Sequence, residues 1–156
     1  EVAIDRYDND NDRDRSEEDW RVDVFEGART EVAAEQYLRD RGFDARIVDD
    51  DEEQSHDLEV EGLTVEVKLR RLWNRQDPDL LLRYDDNLSS DIYVMVEARR
   101  TPTGKTFEVT KWASQKTVEE NKIPFRPNRP QVEREHLDDI ETLPPILKLF
   151  RDGDRP

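Results

Sequence analysis

Apolar and charged positions alternate with a period of two through the middle of the chain. Leu63, Val65, Val67 and Leu69 fall on one side of a predicted strand, and Glu66, Lys68 and Arg70 fall together on the other. The preceding run repeats the pattern, with Leu58 and Val60 opposite Asp57, Glu59 and Glu61. Glu61-Gly62 supplies turn chemistry, so residues 56–70 read as a hairpin. Upstream the period lengthens to that of a helix, over about 26–41, with Ala33, Ala34, Tyr37 and Leu38 forming the buried arc and Gly42 ending it. Phe43 to Val48 reads as a first strand, followed by an acidic loop, Asp49 to Glu53.

Beyond the hairpin, Trp73 to Asn87 is polar and turn-rich around Leu80-Leu81-Leu82, and fits a loop or a short helix. Ile92 to Ala98 is too continuously apolar to be half exposed, which predicts a central strand. Thr101-Pro-Thr-Gly104 makes a turn, Lys105 to Val109 pairs back, and Lys111 to Asn121 is predicted helical. Pro124, Pro127 and Pro130 punctuate an extended connector, and Ile140 to Phe150 reads as a terminal segment packed on the core. The domain organisation expected is a flexible acidic arm over 1–19, one domain over 20–122, and a Pro-rich extension over 123–156 that packs on the domain or on a partner.

Composition changes this picture mainly through charge. With 33% apolar and 42% charged residues, the core must be small and the surface densely ionic. No apolar run approaches the roughly 20 residues that span a bilayer, so no membrane segment is expected; no small-molecule cofactor is expected either. Cysteine is absent, which removes disulfides and thiolate metal sites. A net charge of minus 15 opposes nucleic-acid binding at ordinary ionic strength. Aspartate is abundant, however, and lysine occurs only at 68, 105, 111, 116, 122 and 148, a usage that resembles proteins of salt-in halophiles. At ~1 M salt the Debye length is about 3 Å, so distant acids stop repelling phosphates while direct contacts persist. A cytoplasmic protein of a high-salt cell, or part of a complex assembled there, is one reading; an ordinary acidic protein with a partner-binding tail is the other.

The hairpin carries the candidate chemistry. Asp57 and Glu66 come within reach of one cation, carboxylate oxygens are the ligands Mg2+ prefers, and water on such an ion becomes a nucleophile as its pKa falls. Lys68 can orient that water or neutralise charge on a phosphate. Taken alone, Glu66-Val67-Lys68 is a triplet that charge-rich sequences produce by chance, and its bland reading is a solvated strand face.

Asp57, an eight-residue gap, then Glu66-Val67-Lys68 on the second strand of a hairpin resembles the PD-(D/E)XK nuclease superfamily. Glu31 matches the acid that members carry on an earlier helix, and the segments Asp91 to Val96 and Phe107 to Val118 resemble its later strands and second helix; the likeness covers roughly residues 24–120. His56 stands where the family name has Pro, no Gln-x-x-x-Tyr element follows Lys68, and residues 123–156 match nothing in the pattern. The resemblance implies a restriction-endonuclease-like α/β fold with a central mixed sheet of four to five strands flanked by helices. It implies Mg2+, replaceable by Mn2+, held by Glu31, Asp57, Glu66 and the Val67 carbonyl, with Asp57, Glu66 and Lys68 catalytic. The expected activity is a metal-dependent DNA endonuclease or exonuclease, with DNA as partner and a homodimer or larger assembly open.

Arg70, Arg71 and Arg75, with Trp73 between them, fit phosphate contacts and base stacking, or plain interface packing. Lys111 and Lys116 are further candidates for the DNA backbone, whereas Trp112 reads as core. His56 and His136 are too few and too separated for a zinc site, and the Asp/Asn run at 8–14 lacks the glycine and terminal glutamate of a calcium loop. The competing reading is the same fold used without catalysis, as an assembly module.

Overall fold

The structure is a computed structural model that describes residues 17–48, 56–82, 88–126 and 129–153. Residues 1–16 of the expected arm, the acidic loop Asp49 to Glu53 with residues 54–55, residues 83–87, and residues 127–128 and 154–156 of the Pro-rich extension lie outside the described residues.

Helix α1 spans Glu17–Asp40. It starts nine residues before the sequence pattern predicts, taking Glu17, Glu18 and Asp19 out of the expected arm. No Gly or Pro interrupts residues 17–26, so the sequence carries no helix breaker there. Glu26, Thr30, Ala34 and Leu38 are buried at intervals of four, one stripe along the helix. Its end is fixed by Gly42, at φ +89°, with Gly42 N–H donating to Arg39 O at 2.9 Å and Phe43 N–H to Leu38 O at 3.1 Å. Those two bonds are the Schellman pattern, and Phe43 and Leu38 pack in the same core, as the motif favours.

The main sheet has six strands, ordered β1-β2-β3-β5-β6-β9. These are β1 (Ala45–Ile47), β2 (Leu58–Val60), β3 (Leu63–Arg71), β5 (Ile92–Thr101), β6 (Gly104–Ser114) and β9 (Asp138–Asp139). The β2–β3 hairpin forms as the alternation predicts, and Glu61 (φ +51°) and Gly62 (φ +82°) both take the left-handed region that a tight two-residue turn requires. β3 and β5 are parallel and all other pairs are antiparallel, so the sheet is mixed. One strand beyond the expected count comes from β9, a two-residue edge on β6.

The predicted helix over Lys111–Asn121 is corrected at its start. β6 continues through Ser114, and α2 covers only Gln115–Asn121, with Ser114 Oγ accepting from Thr117 N–H at 3.1 Å. Pairing with β5 and β9 overrides local helical preference there. A bulge opposite Met95/Val96 lets Trp112 pair with Val94 and join the core, its Nε1 donating to Thr142 Oγ1 at 2.8 Å.

The two faces of the sheet are covered differently. On one, α1 and α3 (Leu143–Arg151) pack Ala34, Leu38, Leu143 and Leu147 onto Val65, Val67, Val94 and Val96. On the other, α2 and a second, three-stranded sheet place Leu80, Leu82, Val118, Val132 and Leu137 against Tyr93 and Met95. That second sheet has the order β4-β8-β7, from β4 (Leu80–Leu81), β8 (Arg129–Val132) and β7 (Ile123–Arg126). Pro124 and Pro130 of the expected connector therefore lie in strands, and Pro127 lies outside the described residues. Pro130 sits in the middle one, where its carbonyl accepts from Leu82 N–H at 2.9 Å and its missing donor costs nothing to that bond. The architecture is α/β, a mixed sheet with helices. Among the described residues no helix is long and apolar enough to cross a membrane.

Candidate hydrolytic site on the β2–β3 hairpin

Asp57 lies one residue before β2, and the β2–β3 register, extended by that residue, sets it opposite Glu66. Its backbone is held on both sides: Asp57 N–H donates to Val65 O at 2.9 Å and its carbonyl accepts from Val48 N–H at 3.0 Å. The side chain then turns onto β3, where Oδ2 accepts from Val67 N–H at 2.8 Å. A carboxylate has taken the place of a ladder carbonyl. That fixes it beside the peptide joining Glu66 to Val67.

Glu66 and Lys68 project from the row that alternates with Val65 and Val67. Glu66 is 4% exposed, flanked in the sheet by Tyr93 on β5. Its Oε2 lies 3.0 Å from Lys68 Nζ, and Ser90 Oγ donates to Oε1 at 3.4 Å. A buried carboxylate is tolerated only with charge or hydrogen-bond partners, and Lys68 provides the first. The hairpin thus brings Asp57, Glu66, Val67 and Lys68 together. Glu31 is half-buried on α1, in the layer that packs on Val65 and Val67; one turn further, Glu35 Oε2 accepts from Ile47 N–H at 3.2 Å.

His56, where the family pattern has Pro, has a structural engagement. Its Nε2 lies 3.1 Å from Glu59 Oε2, and Arg46 holds the other oxygen at 2.7 Å. The hydrogen bond from His56 is the main reason the Glu59 carboxyl sits below its ordinary range, with Arg46 adding to it against a smaller rise from burial.

The five cations expected to meet DNA are not gathered on one surface. Arg71 turns toward α1 and pairs with Glu26, NH2 to Oε1 2.7 Å. Arg70 points the opposite way and donates to Asp79 O at 2.9 Å; burial first, then the nearby Arg75, pushes its pKa down. Arg75 and Lys116 are exposed, and Lys111 pairs with Asp139 from β6, not from a helix start.

Three features escaped sequence reasoning. Ser90 reaches Glu66 only because β5 runs parallel to β3, a pairing no local pattern encodes. A cleft of about 340 Å³ is lined by Leu72, Gln76, Asp77, Glu97, Arg99 and Arg134, with the buried Glu97 bonded to Arg134 at 2.7 Å. Glu133, Glu135 and His136, all exposed, place one ligand atom each within 4.8 Å of one another.

The donor set of the hairpin fits a hard divalent cation. Asp57 and Glu66 sit opposite each other across the hairpin, one carboxylate immobilised by a backbone N–H and the other buried, and oxygen donors of this kind suit Mg2+. No family pattern matches the chain, and no curated protein or solved structure shows significant similarity to it.

Proposed function

We propose that the protein is a Mg2+-dependent nuclease of the PD-(D/E)XK type, with a restriction-endonuclease-like core, that hydrolyses DNA phosphodiester bonds. The observation that carries this reading is the convergence of Asp57, Glu66 and Lys68 on one hairpin, with Glu66 buried and Lys68 Nζ at 3.0 Å from it. Asp57 and Glu66, with the Val67 carbonyl, would hold the cation, and Glu31, which the family pattern adds, would have to reach it from the α1 layer; when bound, the ion supplies Lewis acidity and a water of lowered pKa. The chain's own contribution is placement. Asp57 is fixed by Val67 N–H, so its carboxylate enters the reaction without reorganising. Lys68 is held by Glu66 at 14% side-chain exposure, a setting in which an ammonium stabilises charge on a phosphate more than it does in water. The acidic surface fits work in a high-salt cytoplasm, where distant acids are screened.

Supercoiled plasmid incubated with Mg2+ across a range of KCl tests the reading. Nicking by the wild type and none by Asp57→Ala is the expected result. Absence of nicking at every salt concentration, with the variant indistinguishable from the wild type, removes it.

One observation favours the alternative, a nuclease-like fold serving as a non-catalytic assembly module. Lys68 offsets the charge of the buried Glu66 carboxylate from within the protein. A stable module with no affinity for Mn2+ at the hairpin is the outcome that reading predicts.

A further inference from the structure

The turn between β5 and β6 concentrates positive charge in a chain that is otherwise strongly acidic. Residues 98–107, Ala-Arg-Arg-Thr-Pro-Thr-Gly-Lys-Thr-Phe, hold three cations and no acid. Residues 98–132 hold eight Lys and Arg against three Asp and Glu, a net of plus 5 in a chain of net minus 15.

The fold sharpens this concentration. Arg100 and Lys105 are direct partners across the β5–β6 hairpin, and like charges set opposite each other destabilise a sheet. Both lean on one aromatic ring: the Arg100 guanidinium lies 4.5 Å from the Trp73 centroid, and Lys105 Nζ lies 5.4 Å from it. Arg29 of α1 reaches the same turn, donating to Lys105 O at 3.2 Å with its guanidinium 4.3 Å from the Phe107 centroid. Glu26 bonds Lys105, but it is 4% exposed and also serves Arg71, so its charge is spent inside the protein. Arg29 and Arg100 stay exposed. A guanidinium stacked on a ring keeps its in-plane N–H groups available, the arrangement that takes a phosphate in a two-pronged bond.

We infer that Arg29, Arg100 and Lys105, seated on Trp73 and Phe107, form a docking surface for the phosphodiester backbone of a nucleic acid. A chain of phosphates supplies repeated anions that answer cations drawn from two elements, and direct contacts of this kind survive the screening that high salt imposes on the acidic surface. The surface is separate from the hairpin. Glu66 and Arg71 alone are about 17 Å apart along β3, further than one phosphate extends. It therefore goes beyond the nuclease reading, and it binds nucleic acid whether or not the hairpin cleaves.

Fluorescence anisotropy of a labelled 30-base-pair duplex, in EDTA and over 0.1–2 M KCl, tests it on the full chain. The double variant Arg29→Glu/Arg100→Glu should bind at least tenfold more weakly than the wild type, with the slope of log K against log[KCl] flattened by about two. Lys148→Glu, exposed on α3, should stay within about twofold. Failure of the nuclease reading would appear as absent nicking with this binding retained. Should the double reversal not fold, as read by its thermal melt, Arg29→Ala and Arg100→Ala replace it, each expected to weaken binding several-fold. The inference is overturned by wild-type binding that the variants leave unchanged, by no binding at any salt, or by polyglutamate displacing the duplex as well as unlabelled DNA does, which would mark a dock for an acidic protein.

Discussion

β3 carries a buried acid–base association at each end, and the two are built differently. Near its start, Glu66 meets Lys68, two residues away on the same strand. Near its end, Arg71 meets Glu26 of α1, which also takes Lys105 of β6. The second association ties three elements of the fold together. The first joins two side chains of one strand, with Ser90, just ahead of β5, bonded to the same carboxylate. Glu26 thus ties layers together, whereas Glu66, on the proposed reading, is held beside the immobilised Asp57 for chemistry.

Variants at the two ends should therefore separate activity from stability. The largest effect expected is on catalysis: Asp57→Ala or Lys68→Ala should lower plasmid nicking at least ~100-fold, the scale seen when one electrostatic contributor to a reacting site is removed. Asp57→Ala should shift the urea midpoint little, whereas Lys68→Ala also strands the buried Glu66 carboxylate and should lower it, which makes Asp57→Ala the cleaner variant. At the other end the order reverses. Glu26→Gln leaves Arg71 and Lys105 without their shared carboxylate and should cost about 2–3 kcal/mol of unfolding free energy, toward the lower end for a broken buried pair because both cations retain some solvent. Nicking by the folded fraction should be unchanged. If Glu26→Gln abolishes nicking while stability holds, the comparison is wrong.

Acid sensitivity follows from the same end. Burial pushes the Glu26 carboxyl up, but hydrogen bonds from Lys105 and Arg71, with their charges, outweigh it and hold it below its ordinary value. A depressed carboxyl adds stability above its unfolded pKa, about 4.3, and that contribution disappears as pH falls through the folded value. Urea midpoints measured downward from pH 6 should fall more steeply for the wild type than for Glu26→Gln, with the two curves converging at the acid end. The smallest effect belongs to Ser90→Ala, which removes one long hydrogen bond to Glu66. It should cost about 0.5–1 kcal/mol of stability and lower nicking only a few-fold.

How much of this was legible in the sequence depends on the range of the interactions involved. The hairpin was legible because alternation, Glu61-Gly62 and the gap between Asp57 and Glu66 are local signals, and its register then followed. The central strand at Ile92 and the end of α1 at Gly42 were legible for the same reason. The strand at Lys111–Ser114 was not, because pairing with β5 and β9 overruled a local preference for helix. Nor was the second sheet, in which prolines that read as a connector pair across β7 and β8 and join Leu80–Leu81 some fifty residues earlier. At the site, Asp57, Glu66 and Lys68 could be placed from spacing alone. Ser90, and the pairing of Arg71 with Glu26 in place of a phosphate, depend on contacts between distant elements that spacing does not encode.

The central claim is that the β2–β3 hairpin seats a divalent cation. Paramagnetic broadening of backbone amide resonances by substoichiometric Mn2+ reads this position by position. The account predicts that Asp57, Glu66, Val67 and Lys68 broaden first in the wild type and that Glu66→Gln abolishes the effect. Broadening confined to Glu133, Glu135 and His136, with the hairpin amides unchanged, would contradict it.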